Sequence, residues 1–203
     1  MAHRTFDFSA LQYLNQWLIV EENFCKKINS TAQEDRFCVL ERAASSFKIA
    51  RNLPKKYEKG CQRRYQPIIE IMDKVNLLTN DNAINKIKEV ESEISEKYGG
   101  NGVLSLTTKF LWIKFKSPVR IYDAQVKKAL KAKNLNYEDF NEKFDLRFKK
   151  HQNEIVEACR NLKNVISYTA RPRMSPQEVD LLVSNRWFEE RVLDIFLWNE
   201  GVA

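Results

Sequence analysis

The sequence predicts an all-α protein, and two observations support this class. Glycine and proline number only five each among 203 residues, and valine and isoleucine nowhere alternate with polar residues over the length of a half-buried strand. Apolar residues instead recur at the three- and four-residue spacing of amphipathic helices. The length fits one domain, covering residues 1–203, with two helical lobes possible at about residues 1–98 and 99–203.

The first two predicted helices carry apolar stripes. The first covers residues 9–28, with Ser9 in the position of the N-cap. The second covers about residues 32–52 and ends before Leu53-Pro54, because the residue preceding a proline is pushed out of the α conformation. Since the stripes have the spacing of a core face, both helices are interpreted as packing elements and not as a cofactor site.

Two further helices are predicted before residue 100. Pro67 fits the first position of the third helix, where the missing N–H of proline loses no hydrogen bond. The fourth starts at Asn80-Asp81-Asn82 and carries an apolar stripe on one side. It ends at Tyr98-Gly99-Gly100, because glycine permits the left-handed conformation of a helix C-terminus.

The second half of the chain predicts four helices with recognisable starts. Ser105 is predicted to cap a helix that is apolar on almost every side and is therefore buried. Asp123 is predicted to cap the next helix. A long helix opens at Asn136 or Asp139. The last helix begins at Ser175, where the sequence has a capping-box pattern, and runs to the end of the chain.

Positive charge favours an anionic partner. Lys and Arg total 34 against 27 Asp and Glu, giving a net charge of +7. The charge is clustered, since residues 104–135 contain eight basic residues and one acid, Asp123. Residues 55–66 are also basic and include Arg63 and Arg64; a solvated loop and a phosphate-contacting loop are equally good interpretations of this segment.

Metal, cofactor and membrane functions are not expected. The chain has four cysteines and two histidines, and no two cysteines have the spacing of a metal site, so we expect no zinc or iron–sulfur centre and no cofactor. The cysteines are expected to be reduced thiols. No signal pattern and no apolar run of membrane-spanning length is present. We therefore expect a cytoplasmic monomer without membrane contact.

Lys109 and Asp123 are the candidate chemical groups. Burial and the positive end of a helix disfavour the ammonium form of Lys109, and a neutral amine is a nucleophile toward carbon. A carboxylate at a helix N-terminus is held by backbone N–H groups and can stabilise a positively charged sugar. On spacing alone, a Lys109 stem that packs while its head reaches water is the favoured interpretation. Asp123 would then be a plain N-cap, and Lys114 and Lys116 are alternative nucleophiles.

A family resemblance strengthens the chemical interpretation. Thr108-Lys109 in an apolar helix, followed by Val119-Arg120-Ile121-Tyr122-Asp123 at the next helix start, resembles the catalytic end of helix–hairpin–helix DNA glycosylases. It is most similar to the 8-oxoguanine glycosylase-like branch. The segments at 50–54, 187–188 and 191–198 also resemble this group. The hairpin differs, because residues 99–108 lack the proline of the family pattern and their glycines are displaced.

The resemblance implies a compact helical fold with a cleft between two lobes and a double-stranded DNA partner that carries a damaged or modified base. Lys109 would attack C1′ of a flipped nucleotide as the Schiff-base nucleophile, and Asp123 would assist, giving glycosylase and AP-lyase activity without a cofactor. The base would be oxidised guanine, in repair, or a bulky modified base of phage DNA, in antiviral defence. The enzyme would associate with the nucleoid when acting. The alternatives are a non-catalytic helical DNA-binding module and, less favoured, a partner-binding helical domain.

Other site residues follow from the same resemblance and from charge. The residues expected to contact DNA belong to the hairpin region, the helix after Asp123 and the earlier basic segment: Gly102, Ser105, Thr107, Thr108, Lys127, Lys128, Arg63 and Arg64. Walls of the base pocket are expected from Ile113, Trp187 and Trp198, although core packing is the favoured interpretation for both tryptophans.

Overall fold

A computed structural model describes residues 5–50, 53, 61–100, 102–131 and 136–202. For residues 61–63 it describes the backbone and not the side chains. These residues form helices and connecting turns and contain no strand, which confirms the all-α prediction. In chain order the helices are α1 (Phe6–Gln16), a π-helix (Trp17–Glu21), α2 (Glu22–Lys27), α3 (Gln33–Ser46), α4 (Cys61–Asp73), α5 (Ala83–Tyr98), α6 (Leu104–Phe115), α7 (Ala124–Ala129), α8 (Tyr137–Asn161), a 3-10 helix (Leu162–Tyr168), α9 (Pro176–Val183) and α10 (Arg186–Val202).

The chain divides into two compact units. The two-segment unit consists of Met1–Glu22 together with Tyr122–Ala203, and the inserted unit is Asn23–Ile121. These boundaries do not coincide with the lobes at 1–98 and 99–203 that the sequence suggested. Within the described residues, no helix is both long enough and apolar enough to cross a bilayer.

The inserted unit is built from α3, α4, α5 and α6. Helix α3 contacts α4 and α6, and α5 contacts the same two helices. The apolar stripes meet inside this ring, as their periodicity predicts. Its most deeply buried apolar side chains include Leu40, Tyr65, Ile68, Ile87, Ile94, Leu106 and Phe110.

The two-segment unit is organised around α10, which contacts α1, α7, α8 and α9. Aromatic rings fill much of the space between α1 and α10. The Phe6 and Phe196 rings stack with centroids 4.3 Å apart, and the Tyr13 and Phe188 centroids are 4.8 Å apart. Large buried aromatic side chains of this kind contribute strongly to core stability.

Three predicted helix starts are wrong in instructive ways. Helix α1 begins at Phe6 and is capped by Thr5, whose side chain accepts from the Phe8 N–H, so Ser9 lies inside the helix. Helix α4 begins at Cys61, so Pro67 is an interior residue and not the first position. Tyr65, which precedes Pro67, is 1% exposed and so belongs to the core. Because this side chain packs in the core, the helix extends toward the N-terminus beyond its proline. The third misplaced start, that of α6, concerns the site below.

Helix ends also differ from expectation in two places. The second helix, α3, ends at Ser46 and not near residue 52. The single last helix is in fact two, α9 and α10. The reason lies at Asn185, whose side-chain amide donates to the Leu181 and Leu182 carbonyls and competes with the backbone ladder.

Four local predictions are confirmed. Gly99 has a φ of 101° and ends α5 in the left-handed conformation. Asp123, Asn136 and Ser175 are the N-caps of α7, α8 and α9, each accepting a backbone N–H, and Ser175 forms the full capping box with Glu178.

Candidate functional site

The helix that carries Lys109 starts earlier than its sequence indicates. Val103, not Ser105, occupies the N-cap position of α6, and its side chain makes no cap. The Val103 N–H instead donates to Glu91 Oε1 of α5 at 3.2 Å. A hydrogen bond from a neighbouring helix thus fixes this start, and Ser105 becomes the second residue of the helix.

Lys109 is buried, as the apolar surroundings predicted. Its exposed fraction is 5%, and Phe110 and Leu111, which follow it, are 0% exposed. Its Nζ donates to Ser105 Oγ at 3.2 Å. Little of this side chain is therefore in contact with solvent, and its role as a nucleophile stays a prediction.

The alternative nucleophile Lys114 has a structural role. Its Nζ donates to the Met72 carbonyl at 2.6 Å and lies 3.4 Å from Asp73 Oδ1, so it caps the C-terminal end of α4. Burial lowers the pKa of Lys114, and the nearby Asp73 carboxylate opposes that change. Lys116 ends α6 with a φ of 58°.

Asp123 is fixed at the start of α7. Its Oδ1 accepts from the Gln125 N–H at 2.9 Å. Helix α7 is itself held by α10, because Lys128 Nζ donates to the Gly201 carbonyl at 2.7 Å. A Cβ at Gly201 would lie 2.1 Å from the Gln125 carbonyl oxygen, so the two backbones meet where only glycine fits.

Lys109 belongs to the inserted unit and Asp123 to the two-segment unit. Within its own unit each group is anchored by a short hydrogen-bonded connection, Lys109 to Ser105 and Asp123 to Gln125.

The hairpin residues expected to contact DNA fall into two classes. Gly102 is exposed and Ser105 is partly exposed. Thr107 and Thr108 are 0% exposed, and Thr108 Oγ1 donates to the Leu104 carbonyl at 3.0 Å. The two threonine side chains are therefore inaccessible to a phosphate. A phosphate contact through the backbone N–H groups of residues 102–108 stays a prediction.

The basic side chains expected to contact DNA also make intramolecular contacts. Lys127 Nζ lies 4.2 Å from the centroid of the Tyr122 ring, and Lys128 is bonded to Gly201 as described above. Arg64 of α4 donates to the Ala50 and Leu53 carbonyls at 2.7 and 3.2 Å. These hydrogen bonds connect α4 to the residues that follow α3. The side chain of Arg63 lies outside the described residues.

The expected pocket walls are not alike. Ile113 is 0% exposed. The Trp187 ring packs on Trp17 with centroids 4.6 Å apart, in agreement with core packing. Trp198 is 41% exposed, so core packing is the wrong interpretation for this residue.

A buried charge cluster in the two-segment unit was missed by the sequence analysis. Arg191, Glu21 and Asp194 are 5%, 1% and 7% exposed, and Arg191 bonds both carboxylates, with Nη2 2.9 Å from Glu21 Oε1. Burial opposes the charge of Arg191, but the two carboxylates outweigh it and raise the pKa of the guanidinium. The sequence feature that could have revealed this cluster is the pair Arg191 and Asp194, which are three residues apart within the apolar stripe of α10.

Known proteins give no counterpart, since no family model, curated protein or solved structure matches this chain. The resemblance to helix–hairpin–helix glycosylases therefore stays a prediction. In the part of the chain that the structure describes, no group of three or more His, Cys, Asp or Glu side chains is placed to hold a metal ion.

Proposed function

We propose that this chain is a DNA glycosylase with AP-lyase activity, in which Lys109 is the nucleophile and Asp123 assists it. The observation that carries the proposal is the burial of the Lys109 side chain, which is 5% exposed in a helix whose residues 106–113 are all buried. Lysine is rarely buried to this degree, because removing its charge from water is costly, and this burial singles out Lys109 among the basic residues of α6.

The proposed reaction begins when the target nucleotide is flipped out of the duplex. The lone pair of Lys109 Nζ forms a bond to C1′, while the glycosidic C1′–N bond breaks and its electron pair leaves with the base. Nζ then loses a proton, and the sugar ring opens to give the imine. Removal of a C2′ proton from this imine expels the 3′ phosphate, which is the lyase step.

Asp123 would act on the charge that develops at the sugar. Its carboxylate is held by the Gln125 N–H at 2.9 Å, so little reorganisation is needed when positive charge appears. The proposal requires the Lys109 amine and the Asp123 carboxylate to reach the same nucleotide. The +7 net charge supports a polyanionic substrate.

Two substrate classes are considered, one from the family resemblance and one from the differences between residues 99–108 and the family's hairpin pattern. Oxidised guanine is the base that the resembled branch implies. The displaced glycines and missing proline of residues 99–108 favour a different pocket, such as one for a bulky modified base of phage DNA. A panel of duplexes that carry oxidised bases, alongside DNA from phages with modified bases, separates the two.

Borohydride trapping on this panel tests the proposal. The wild-type protein should form a covalent adduct with one substrate, and Lys109→Gln should abolish it. Lys114→Gln is the matched control, since it removes a second partly buried lysine from the same helix and should leave the adduct intact. Asp123→Asn keeps an N-cap of equal quality and removes only the charge, so trapping should slow by about 100-fold.

Two outcomes contradict the proposal. An undiminished adduct in Lys109→Gln would exclude this residue as the nucleophile. Salt-sensitive DNA binding with no abasic product on any substrate would identify a non-catalytic DNA-binding module instead.

A further inference from the structure

The hydroxyl residues in the first two turns of α6 have different partners. Thr108 Oγ1 donates to the Leu104 carbonyl, and Thr107 Oγ1 is buried without a hydrogen-bond partner among the described residues. Ser105 Oγ accepts from Lys109 Nζ at 3.2 Å. Because Ser105 is not the N-cap of this helix, its hydroxyl is available for that contact.

The spacing of the two residues makes the contact a natural one. Side chains on a helix lean toward its N-terminus, so a residue at position i+4 covers the residue at position i. Lys109 therefore extends over Ser105, and the hydroxyl meets the end of its four-carbon chain. A lysine side chain has many rotamers, and this hydrogen bond restricts that freedom before a substrate binds.

From this geometry we infer that Ser105 is a positioning residue for the Lys109 amine; the inference rests on the function proposed above. The hydrogen bond to Ser105 Oγ fixes the position of Nζ at the end of the Lys109 side chain and so orients the amine before the sugar arrives.

The same hydrogen bond serves the next step of the reaction. As Nζ bonds to C1′ and the base leaves with the glycosidic electron pair, positive charge develops on Nζ. An N–H donated to Ser105 Oγ becomes a charge-assisted hydrogen bond and strengthens at that moment. Ser105 neither gains nor loses a proton in this step, and the proton that Nζ releases passes to solvent.

Single-turnover borohydride trapping with three variants tests the inference. Ser105→Ala should slow adduct formation by roughly tenfold, the loss of one hydrogen bond to a charged group. Ser105→Thr restores a hydroxyl and should recover most of the rate. Ser92→Ala is the control, since it makes the same substitution at an exposed position inside α5 of the same unit.

A second measurement does not depend on activity. In protein labelled with ¹⁵N-lysine, Lys109→Gln assigns the Nζ resonance of Lys109. Ser105→Ala should shift that resonance, and Ser92→Ala should not. An unchanged Nζ resonance, or trapping as fast in Ser105→Ala as in the wild type, would overturn the inference. A wild-type protein that forms no adduct on any DNA would overturn the proposed function, while the spectra would still decide the Ser105 contact.

Discussion

Arg191 is a buried cation that pairs with two buried carboxylates inside the two-segment unit. Its guanidinium is buried between Glu21 and Asp194, which are 1% and 7% exposed. Replacing it with glutamine would leave two carboxylates without their shared cation in a poorly solvated environment. Such losses destabilise a protein by about 3–5 kcal/mol. We therefore expect Arg191→Gln to lower the free energy of unfolding by that amount in urea titrations.

Arg147→Gln is the matched control for this prediction. Arg147 pairs with Glu200 at 2.9 Å, but the two side chains are 30% and 44% exposed. Exposed ion pairs contribute about 0.2–1 kcal/mol. If both substitutions changed the free energy of unfolding equally, burial would not be what makes Arg191 important.

A substitution at Thr107 is expected to raise the free energy of unfolding. Its side chain is 0% exposed, and its hydroxyl has no hydrogen-bond partner among the described residues. Valine has the same shape without the hydroxyl, so Thr107→Val removes an uncompensated buried polar group. We expect the free energy of unfolding to rise by about 1 kcal/mol. A loss of stability on denaturant titration would show that the hydroxyl has a partner, such as a buried water.

Among the glycines that the structure describes, Gly201 alone lies against backbone of another helix, where α10 meets α7. A Cβ at Gly201 would lie 2.1 Å from the Gln125 carbonyl oxygen, and backbone cannot yield as a side chain can. Gly201→Ala should therefore destabilise the protein by about 1–3 kcal/mol. It should also slow adduct formation, because α7 begins at Asp123. Gly102→Ala is the control for stability, since a Cβ at Gly102 meets nothing within 4 Å. Equal effects of the two substitutions on the free energy of unfolding would contradict the packing argument.

Asp73 joins three helices of the inserted unit, because Arg36 of α3 and Lys114 of α6 both bond its carboxylate at the end of α4. Partial burial would raise the pKa of Asp73, but Arg36 and then Lys114 outweigh it and lower the pKa below 3.8. A carboxylate with a lowered pKa in the folded state stabilises the protein above its unfolded pKa and loses that effect as pH falls.

We therefore expect urea midpoints of the wild type to fall below about pH 4 more steeply than those of Asp73→Asn. The carboxylate is 46% exposed, so solvent screening limits the difference to less than about 1 kcal/mol. Asp81→Asn, at an exposed turn, is the control and should keep the wild-type slope. Parallel curves for the wild type and Asp73→Asn would contradict the argument.

Sequence predicted those helix ends whose determinants are local. The Ser175 capping box and the glycine at position 99 each involve partners within a few residues, so pattern alone locates them. The start of α1 was misplaced because Thr5 and Ser9 are both acceptable caps. Stacking of Phe6 on Phe196 decides between them, and that contact joins residues from opposite ends of the chain.

The same limit applies to the candidate site. Burial of Lys109 could be predicted, because apolar residues surround it on every side of the helix. The contact with Ser105 could not, since a serine before an apolar run is typical of an N-cap. The Thr107 N–H donates to the Val103 carbonyl, so α6 starts before Ser105, and the Val103 N–H bonds to Glu91 of another helix, a partner that the local pattern does not show.

At the scale of the whole molecule, the division into units depends on packing between distant segments. The two-segment unit joins residues before 23 with residues after 121, and its helices α1 and α10 are brought together by aromatic contacts. Periodicity shows which face of each helix is apolar, but it does not show which other helix covers that face. A boundary placed by sequence order near residue 98 therefore could not anticipate a unit built from both ends.

The net charge of +7 gives a prediction for the molecule as a whole. A protein that binds DNA through phosphates releases counterions, so its affinity for unmodified duplex should fall steeply as salt rises, with a slope of about 0.9 per phosphate contact. Replacing Lys127 and Lys128 together by glutamine should lower that slope by about 2. The exposed neighbours Lys149 and Lys150 of α8 form a matched pair with the same change of charge. Fluorescence anisotropy between 50 and 200 mM salt measures both slopes. If the two double variants behaved alike, net charge and not a DNA-contacting surface at α7 would account for binding, because a true contact surface must be sensitive to where its charges lie.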